Sequence, residues 1–320
     1  MHPTSAPWRE QFVLSRDFRA LGRHSELVSR VRCGELLPII AGVYRFATAV
    51  TPDETRVADD AFLAKIRATQ LLSAAPLQFR NHAAAAVWDL PMVGRWPERV
   101  AIMAAPAPGG RSNATLARSY LGHPAAAVMR DGLLVTTLAR TVADVARVAP
   151  FGTATAMTDA ALHGHRETAG HPLRQRLDGE VAQHEFATLG RVVGAARARC
   201  VLEFADAASE SAGESFSRVG IRMLSLPAPQ LQVPFADARG PIGVVDFFWR
   251  QFGVIGEFDG RGKYLREEFT LGRPIADIVM AEKARENRLR ALGFVVVRWD
   301  WSTAMSLPLL RACLAQGGVH

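Results

Sequence analysis

The first fifty residues predict two short helices followed by a hairpin. A serine precedes each helical stretch, and a serine side chain commonly caps the first turn of a helix. A glycine closes each helix, and a further glycine lies in the tight turn between two apolar stretches. The predicted elements are N-cap Ser15 with helix Arg16–Leu21, N-cap Ser25 with helix Glu26–Val31, strand Leu36–Ile40, turn Ala41-Gly42 and strand Val43–Phe46. Helix, helix and hairpin in this order predict a winged helix-turn-helix.

The second predicted helix carries the candidate DNA contacts. In a winged helix-turn-helix this helix enters the major groove, where its exposed side chains contact bases and phosphates. We expect such contacts from this helix and the residues before it, and from one arginine in the wing. These residues are Arg23, His24, Ser25, Ser29, Arg30, Arg32 and Arg45. The alternative is that this segment contacts a protein and that its arginines are only solvated.

Residues 51–195 show a mixed pattern. Thr51-Pro52-Asp53-Glu54 is typical of a helix start, and this helix is predicted to run to about Ser73. The other predicted elements are helices Asn81–Leu90, Thr137–Ala149 and Thr153–His163, and strands Arg99–Ala105 and Leu133–Thr136. His163, His165 and His171 lie near glycines and a proline, without an acid or cysteine that completes a metal set. We interpret that histidine stretch as a surface loop.

Acidic residues interrupt two adjacent apolar strands in the C-terminal third of the chain. Asp246 lies within Ile242–Trp249, and Glu257 lies within Val254–Asp259. An acid in a buried strand is costly unless its charge is compensated. Glu257 and Asp259 are two residues apart, so their side chains share one face of an extended strand. If the strands form a hairpin, Asp246 can lie across from them on that face. The neighbouring predicted elements are a helix that carries Glu214 and ends near Gly220, strands Leu231–Phe235 and Phe294–Trp299, and helix Ala276–Leu292.

Three converging carboxylates repel one another, and a divalent cation relieves the repulsion. Oxygen ligands suit Mg²⁺ or Mn²⁺. Such an ion lowers the pKa of a bound water and stabilises charge on a phosphodiester. Lys263 lies just beyond the acids and can interact with a phosphate or the attacking water. Ion pairs are the alternative. Asp246 can pair with Arg250 or Arg298, and Glu257 can pair with Lys263.

Composition and charge narrow the classes of protein. The chain has 320 residues, 49% of them hydrophobic and 22% charged, which indicates a globular protein of two or three domains. The formal net charge is +7. Residues 1–50 hold seven arginines against four acids, and residues 51–150 hold eleven basic against eight acidic residues. Residues 201–320 balance at fourteen of each sign. An anionic partner is therefore expected for the N-terminal half.

Several classes of protein are not expected. No apolar run is long enough to span a membrane, and the N-terminus has no apolar stretch typical of a signal peptide. The three cysteines (Cys33, Cys200 and Cys313) are scattered, without a disulfide framework or zinc spacing. We therefore expect a cytoplasmic protein that does not associate with a membrane.

Residues from about 205 to 302 resemble the PD-(D/E)XK nuclease superfamily, and most closely the domain related to very-short-patch-repair mismatch endonucleases. The matching pieces are Ser211-Ala-Gly-Glu214-Ser215, Val245-Asp246-Phe247, Glu257-Phe258-Asp259-Gly260, the Arg285-Glu286 helix, Leu292-Gly293-Phe294 and Val297-Arg298-Trp299. The resemblance implies that Asp246 and Glu257 are metal ligands and that Glu214 is the helix acid that completes the site. Asp259 stands near the usual lysine position. Lys263 stands where many relatives have histidine, which leaves open a working substitution or a degenerate site.

The N-terminal half has a second resemblance. The run Ser15–Phe46, with Arg-Cys-Gly-Glu-Leu-Leu and Gly-Val-Tyr-Arg, is similar to the winged helix of AbiEi-type antitoxins of type IV toxin–antitoxin systems. Asn81–Leu90 and Val135–Asp144 resemble the linker-to-middle domain of the same actinobacterial proteins. This resemblance implies DNA binding, and a toxin or another protein as partner.

Together these patterns predict an α+β multidomain protein. We expect a winged helix-turn-helix in residues 1–50, a mixed α/β middle domain in 51–195 and a restriction-endonuclease-like α/β core in 196–320. The expected function is binding of double-stranded DNA and its hydrolysis or nicking by a Mg²⁺- or Mn²⁺-dependent endonuclease domain. The candidate catalytic residues are Glu214, Asp246, Glu257, Asp259 and Lys263, of which Asp246, Glu257 and Asp259 are the candidate metal ligands. The alternative is a repressor or antitoxin with a catalytically degenerate nuclease fold.

Overall fold

The structure is a computed structural model that describes residues 6–47, 54–104, 112–119, 125–164, 175–260 and 275–320. Within these residues the protein is mixed α+β, with twelve α-helices and three β-sheets. The strands are β1 Phe12–Leu14, β2 Leu36–Ile40, β3 Val43–Phe46, β4 Gln78–Phe79, β5 Val100–Met103, β6 Leu116–Ser119, β7 Ala127–Arg130, β8 Leu133–Thr136, β9 Gln230–Asp237, β10 Gly240–Trp249, β11 Val254–Phe258 and β12 Val295–Trp299. The helices are α1 Ser15–Ala20, α2 His24–Arg32, α3 Glu54–Leu71, α4 Asn81–Val87, α5 Leu138–Val148, α6 Phe151–His163, α7 Gly179–Thr188, α8 Ala195–Phe204, α9 Ala212–Met223, α10 Ile275–Ala291, α11 Trp301–Ala304 and α12 Leu307–Gly317.

The chain divides into two compact units. The N-terminal unit comprises Met1–Val148 and Glu180–Ala198, and the C-terminal unit comprises Ala149–Gly179 and Arg199–His320. Each unit is therefore built from two separate stretches of the sequence. The expected domain boundaries near residues 50 and 195 stay predictions.

Two sheets belong to the N-terminal unit. The first has the strand order β1-β3-β2 and is antiparallel throughout. The second has the order β6-β5-β4-β8-β7 and mixes parallel with antiparallel pairs. Strands β4 and β8 contribute the fully buried Phe79 and Val135, and the alanine-rich helix α4 buries Ala83–Ala85. Small side chains let that helix pack closely, which explains its run of alanines.

The two N-terminal helices differ from the sequence prediction at their starts. Helix α1 begins at Ser15 and α2 at His24, so Ser15 and Ser25 lie inside the first turn. The N-cap positions are Leu14 and Arg23, and neither side chain makes a capping hydrogen bond. The two predicted serine N-caps are therefore wrong. The backbone enters α1 directly from β1, an element that the sequence pattern did not predict.

The third sheet forms the core of the C-terminal unit, in the order β12-β11-β10-β9. Strands β11 and β12 run parallel, joined by a connection that contains α10, whereas β9, β10 and β11 are antiparallel neighbours. One apolar cluster joins Phe247, Trp249 and Trp299 to residues of α9 and α12. A second cluster joins Val245, Phe248 and Ile255 to Leu289 of α10. The sheet is thus covered by apolar packing on both faces, which fits the continuous apolar character of β10 and β11.

Within the residues that the structure describes, no helix is both long enough and apolar enough to cross a bilayer.

Candidate functional site

A row of polar residues crosses the four-stranded sheet of the C-terminal unit. The register pairs Glu257 of β11 with Arg298 of β12. Phe247 of β10 pairs with Gly256 of β11 and with Leu231 of β9, so the adjacent Asp246 lies level with Glu257 and Gln232. Side chains at such neighbouring positions lie close enough to interact. The antiparallel pairing of β10 with β11 is the hairpin arrangement that the sequence analysis required for Asp246 to meet Glu257.

Asp246 lies where the pairing of β10 with β11 ends. Its side chain is half-buried in a strand that is otherwise apolar from Ile242 to Trp249. Its Oδ2 accepts a hydrogen bond from the backbone N–H of Phe258 at 2.8 Å. This hydrogen bond satisfies the backbone N–H of Phe258, which lies beyond the last β10–β11 pair. It also fixes the position of the Asp246 side chain.

Glu214 reaches the same region from the first turn of α9. The Ser211 hydroxyl accepts a hydrogen bond from the Glu214 N–H at 3.2 Å and donates one to Glu214 Oε1 at 2.6 Å. The Glu210 N–H donates to Oε2 at 2.9 Å, one residue before the N-cap whose N–H a capping box would use. The Gln232 amide also donates to Oε2, at 3.0 Å. Helix and strand therefore hold the carboxylate from both sides.

Gly213 allows α9 to approach the end of β11. A Cβ atom at this position would overlap the ring of Phe258, whose backbone N–H binds Asp246. Only a glycine leaves room for this contact, because even a methyl group needs a full van der Waals separation from the ring. The close approach brings the start of α9 to the strand that carries Glu257.

The electrostatics of Glu214, Asp246 and Glu257 indicate mutual repulsion. Glu214 is 8% exposed and Glu257 is 6% exposed. Burial, and then the charge of Asp246, raise the pKa of Glu214 to about 7. Burial and the same Asp246 charge also raise the pKa of Glu257, while Arg285 and Arg298 act in the opposite direction. We call Glu214, Asp246 and Glu257 the acid cluster.

Two arginines neutralise part of the predicted ligand set. Arg285 of α10 donates to Glu257 Oε1 at 2.9 Å and to the carbonyl oxygen of Val244. Arg298 of β12 binds both oxygens of Asp259, at 2.9 and 2.7 Å. Arg298 also pairs with Glu282 and Glu286, and hydrogen bonding to Asp259 is the main cause that raises the Arg298 pKa. Asp259 therefore faces a guanidinium, and the described residues do not bring its carboxylate into the acid cluster.

The acid cluster was tested for its fit to a divalent cation. Its donors are carboxylate oxygens, the ligand type that Mg²⁺ and Mn²⁺ prefer. Its acids are buried and repel one another, which a cation would relieve. In the described part of the chain, however, no three histidine, cysteine, aspartate or glutamate side chains are already arranged to hold a metal ion. The chemistry of Glu214, Asp246 and Glu257 fits a cation once Arg285 releases Glu257, whereas Asp259, held by Arg298, does not fit. Lys263 lies outside the described residues.

The predicted DNA contacts on α2 fall into two groups. His24, Ser25, Ser29 and Arg32 are exposed. Arg23 forms two hydrogen bonds with Glu26, at 2.6 and 2.7 Å, and Arg30 forms an ion pair with Glu35. The neighbouring acids thus offset part of the positive charge of this surface. Arg45 of β3 is half-buried, and its Nε has no hydrogen-bond partner among the described residues.

The histidine stretch is described only in part. His163 is the last residue of α6, and its Nδ1 lies 2.8 Å from the carbonyl oxygen of Ala207. His165 and His171 lie outside the described residues. The described contact of His163 is a single bond to the backbone, which is a structural role.

Sequence reasoning did not identify the role of Gln232. It also did not identify Arg285 as an ion-pair partner of Glu257. Gln232 has a φ of +50°, an uncommon conformation for a residue other than glycine. No pattern in the sequence marks this residue. Arg285 is an ion-pair partner of Glu257 in the structure, whereas the pairing of Glu257 with Lys263 stays a prediction because Lys263 lies outside the described residues. Arg285 and Arg298 could have been found from their motif positions, whereas their actual partners follow only from strand register and helix placement.

Comparisons with known proteins found two relatives, both from Mycobacterium tuberculosis. They are the uncharacterized protein MT2308 of strain CDC 1551 / Oshkosh and the uncharacterized protein Rv2248 of strain ATCC 25618 / H37Rv. Each is 32% identical to this chain over 192 residues, which cover 56% of this chain and 67% of the relative. No family model matches the chain. No solved structure matches it.

Proposed function

Since the chain belongs to the same family as these two uncharacterized mycobacterial proteins, whose names state no activity, we propose a function from its own residues. The protein is a DNA-binding protein whose C-terminal unit is a divalent-cation-dependent endonuclease. The observation that carries this proposal is the acid cluster. Acids that repel one another on the central strands of a sheet and on the helix beside them are unfavourable for folding, and such groups are concentrated at functional sites.

The residues of the acid cluster have separable roles in this proposal. Asp246 and Glu257 would hold a Mg²⁺ or Mn²⁺ ion, with Glu214 as the third acid. The chemistry that a bound ion supplies is a lower pKa for water and stabilisation of charge on the phosphodiester. Glu214, whose pKa is about 7, can hold a proton or accept one near neutral pH. Ser211 and Gln232 orient its carboxylate.

Arg285 is the residue whose position must change during the proposed reaction. It holds Glu257 at 2.9 Å. A phosphate group offers the same guanidinium two strong hydrogen-bond acceptors. Arrival of DNA would therefore draw Arg285 toward the phosphate and free Glu257 to bind the cation. Binding of DNA would therefore strengthen binding of the cation, and binding of the cation would strengthen binding of DNA.

The exposed face of α2 supports the DNA-binding part of the proposal. Its exposed polar side chains and Arg32 lie on the second of two consecutive helices, followed by the β2–β3 hairpin. This is the order of elements in a winged helix-turn-helix. Double-stranded DNA is therefore the proposed partner.

Plasmid nicking tests the proposed activity. Supercoiled plasmid is incubated with the purified full chain and Mg²⁺ or Mn²⁺, and conversion to open circles is measured on a gel. We expect nicking by the wild type, strong loss in Asp246→Ala and Glu257→Ala, and no loss in Glu203→Ala, which removes an exposed acid of α8. Absence of nicking by the wild type, or equal nicking by all four proteins, would refute the hydrolytic function.

A repressor or antitoxin without catalysis is the second candidate function. The ion pairs Arg285–Glu257 and Arg298–Asp259 favour it, because neutralised acids bind a cation less well. A toxin or another protein would then be the partner. This candidate predicts salt-dependent binding to a specific promoter. That binding would be lost in the double variant Arg30→Ala, Arg32→Ala and kept in Asp246→Ala, with no nicking by any of the proteins.

A further inference from the structure

The C-terminal unit contains a cavity of about 410 Å³ beside α9. Its walls come from the end of α8, the second half of α9, the segment that follows α9, and the start of β9. Its polar lining includes Asp206, Arg218 and Arg222, and its apolar lining includes Phe204, Ile221, Leu226 and Leu231. Its volume lies in the range of about 300–1,000 Å³ that is common for small-ligand sites. The proposed function assigns no role to this cavity.

A buried carboxylate makes one wall of the cavity rigid. Asp159 of α6 is 0% exposed and accepts hydrogen bonds from Arg218 and from the backbone N–H of Asp206, both at 2.8 Å. Arg218, which also lines the cavity, donates further to the carbonyl oxygen of Phe204 at 2.6 Å. A wall fixed in advance loses little conformational freedom when a ligand binds.

Arg222 supplies an available positive charge at this wall. Its guanidinium lies over the ring of Phe204 at 5.0 Å and over the ring of Phe151 at 5.8 Å. The residue is exposed, and no ion pair engages it in the described part of the chain. A guanidinium that contacts aromatic rings rather than an acid keeps N–H donors available to a ligand.

The lining combines three kinds of chemistry. Arg222 can bind an anionic group. Asp206 Oδ1 already accepts a hydrogen bond from the Ala208 N–H at 2.9 Å, and a carboxylate has further acceptor sites for the N–H donors of a ligand. Ile221, Leu226 and Leu231 provide an apolar surface for a flat ring. A simple aromatic acid lacks N–H donors for Asp206, and an inorganic anion does not use the apolar surface. A nucleotide unites a phosphate, a flat base and N–H groups on the base edge.

We propose that this cavity binds a single nucleotide, with the phosphate on Arg222 and the base against the apolar surface. The inference goes beyond the proposed function, because it requires neither hydrolysis nor a cation. The nucleotide can be free, or it can be an unpaired nucleotide that leaves a DNA strand to enter the cavity. Pockets that accept an extruded base use the same combination of ring contacts and edge hydrogen bonds.

Calorimetry with the four deoxynucleoside monophosphates tests the proposal. The full chain is titrated in buffer that contains EDTA, so the result does not depend on the cation site. We expect saturable binding of at least one nucleotide, and binding weaker by about tenfold for the matching nucleoside, which has no phosphate for Arg222.

Four variants locate the binding. Arg222→Ala removes the charge, and Ala228→Trp places a large side chain on the exposed rim of the cavity. Both should weaken binding by about tenfold or more, and Arg222→Lys should lie between them and the wild type. Arg250→Ala is the matched control, because Arg250 is also an exposed arginine over a phenylalanine ring, that of Phe248. It should bind as the wild type does, and thermal unfolding verifies that every variant is folded.

Duplexes distinguish the two sources of the nucleotide. Fluorescence anisotropy compares a fully paired duplex with one that carries a single unpaired nucleotide, again in EDTA. Preference for the unpaired nucleotide that is lost in Arg222→Ala supports DNA as the source. Binding of mononucleotides without that preference supports a free nucleotide. The proposal is overturned if neither probe binds, or if Arg222→Ala and Ala228→Trp bind as tightly as the wild type. Nicking by the same preparations in Mg²⁺ reports separately on the proposed endonuclease.

Discussion

The buried Asp144 of the N-terminal unit and the acid cluster of the C-terminal unit have opposite surroundings. In the N-terminal unit, Asp144 of α5 is fully buried and lies within 3.0–3.5 Å of nitrogen atoms of Arg80, Arg140 and Arg147. In the C-terminal unit, Asp246 adds a repulsive charge to both Glu214 and Glu257. A compensated acid stabilises its surroundings and has little affinity left for a ligand. Acids that repel one another destabilise the fold and favour a cation, and this difference makes the acid cluster the candidate site.

The largest expected effect concerns the compensated acid. Asp144→Asn would leave Arg80 and Arg140, both less than 5% exposed, without their shared carboxylate. Breaking such a buried pair from one side lowers the free energy of unfolding by about 3–5 kcal/mol. Urea unfolding measures the loss. Asp17→Asn, at an exposed acid of α1, should show no measurable change. If Asp144→Asn lowers the free energy of unfolding by less than about 1 kcal/mol, the arginines do not make Asp144 a stabilising acid. The contrast between Asp144 and the acid cluster would then not hold.

The pH dependence of the free energy of unfolding tests whether the acids of the acid cluster repel one another. The folded state raises the pKa of Glu214 from 4.5 to about 7, so it favours the protonated form. The contribution of Glu214 to stability is therefore fully present below pH 4.5 and is lost as the pH rises through about 7. In buffer without divalent cations, we expect this loss to lower the free energy of unfolding by about 3 kcal/mol.

The variant Glu214→Gln separates Glu214 from Asp159 and Glu257, the other buried acids in the described part of the C-terminal unit. Burial also raises the pKa of Asp159, to about 6. Between pH 6 and pH 7, stability should therefore decrease less in Glu214→Gln than in the wild type, because the variant has no Glu214 proton to lose. Identical pH profiles for the two proteins would show that Glu214 is not the group that titrates.

Much of the local structure follows from the sequence. The strands Leu36–Ile40, Val43–Phe46 and Leu133–Thr136 have the predicted bounds, and α10 and β12 differ from prediction by one residue at some ends. These elements have strong local signals: apolar runs next to glycine turns, or a long helical stretch. Strand β1 and helix α12 were not predicted. Strand β1 is only three residues long, whereas α12 has the start signals Ser306 and Pro308, which the sequence interpretation did not use.

The contents of the candidate site were predictable only in part. Asp246 and Glu257 can be identified from the sequence because an acid in an apolar strand is unusual. The predicted hairpin then places the two acids near each other. The partner of Asp259 depends on β12, which pairs with β11 only after a long connection. The role of Gln232 depends on a contact with α9, eighteen residues earlier in the chain. Contacts between distant segments leave no periodic pattern, so the sequence alone could not supply them.

A smaller effect is expected from Gln232, the neutral member of the polar row. Gln232→Ala removes the amide that donates to Glu214 at 3.0 Å. We expect a decrease of about 1 kcal/mol in the free energy of unfolding, and a lower rate of plasmid nicking because Glu214 loses its orientation. Gln230→Ala, at an exposed position of the same strand, should leave both unchanged. Equal behaviour of the two variants would remove Gln232 from the site.

The smallest expected effects concern the surface of α2. There too, some arginines are held by ion pairs with acids, and others are available to bind DNA. Arg32→Ala should lower the salt dependence of DNA binding by about one counterion, whereas Arg23→Ala should change it less, because Glu26 already binds that guanidinium. Glu35→Gln should strengthen binding by freeing Arg30. Fluorescence anisotropy with a labelled duplex at about 50–200 mM salt measures these changes. If Arg23→Ala and Arg32→Ala behave alike, ion pairing does not control this surface.

Binding of Mn²⁺ tests the central contrast most directly. Calorimetry of the EDTA-treated and then dialysed full chain at pH 6.5, in buffers with different heats of ionisation, measures both the bound ions and the protons released. The account predicts saturable Mn²⁺ binding with proton release, because Glu214, with its pKa of about 7, is largely protonated in the free protein. Asp246→Asn should abolish this binding, and Asp237→Asn, at an acid held by Arg288, should not. Absence of binding, or equal binding by Asp246→Asn, would contradict the assignment of the acid cluster as a cation site.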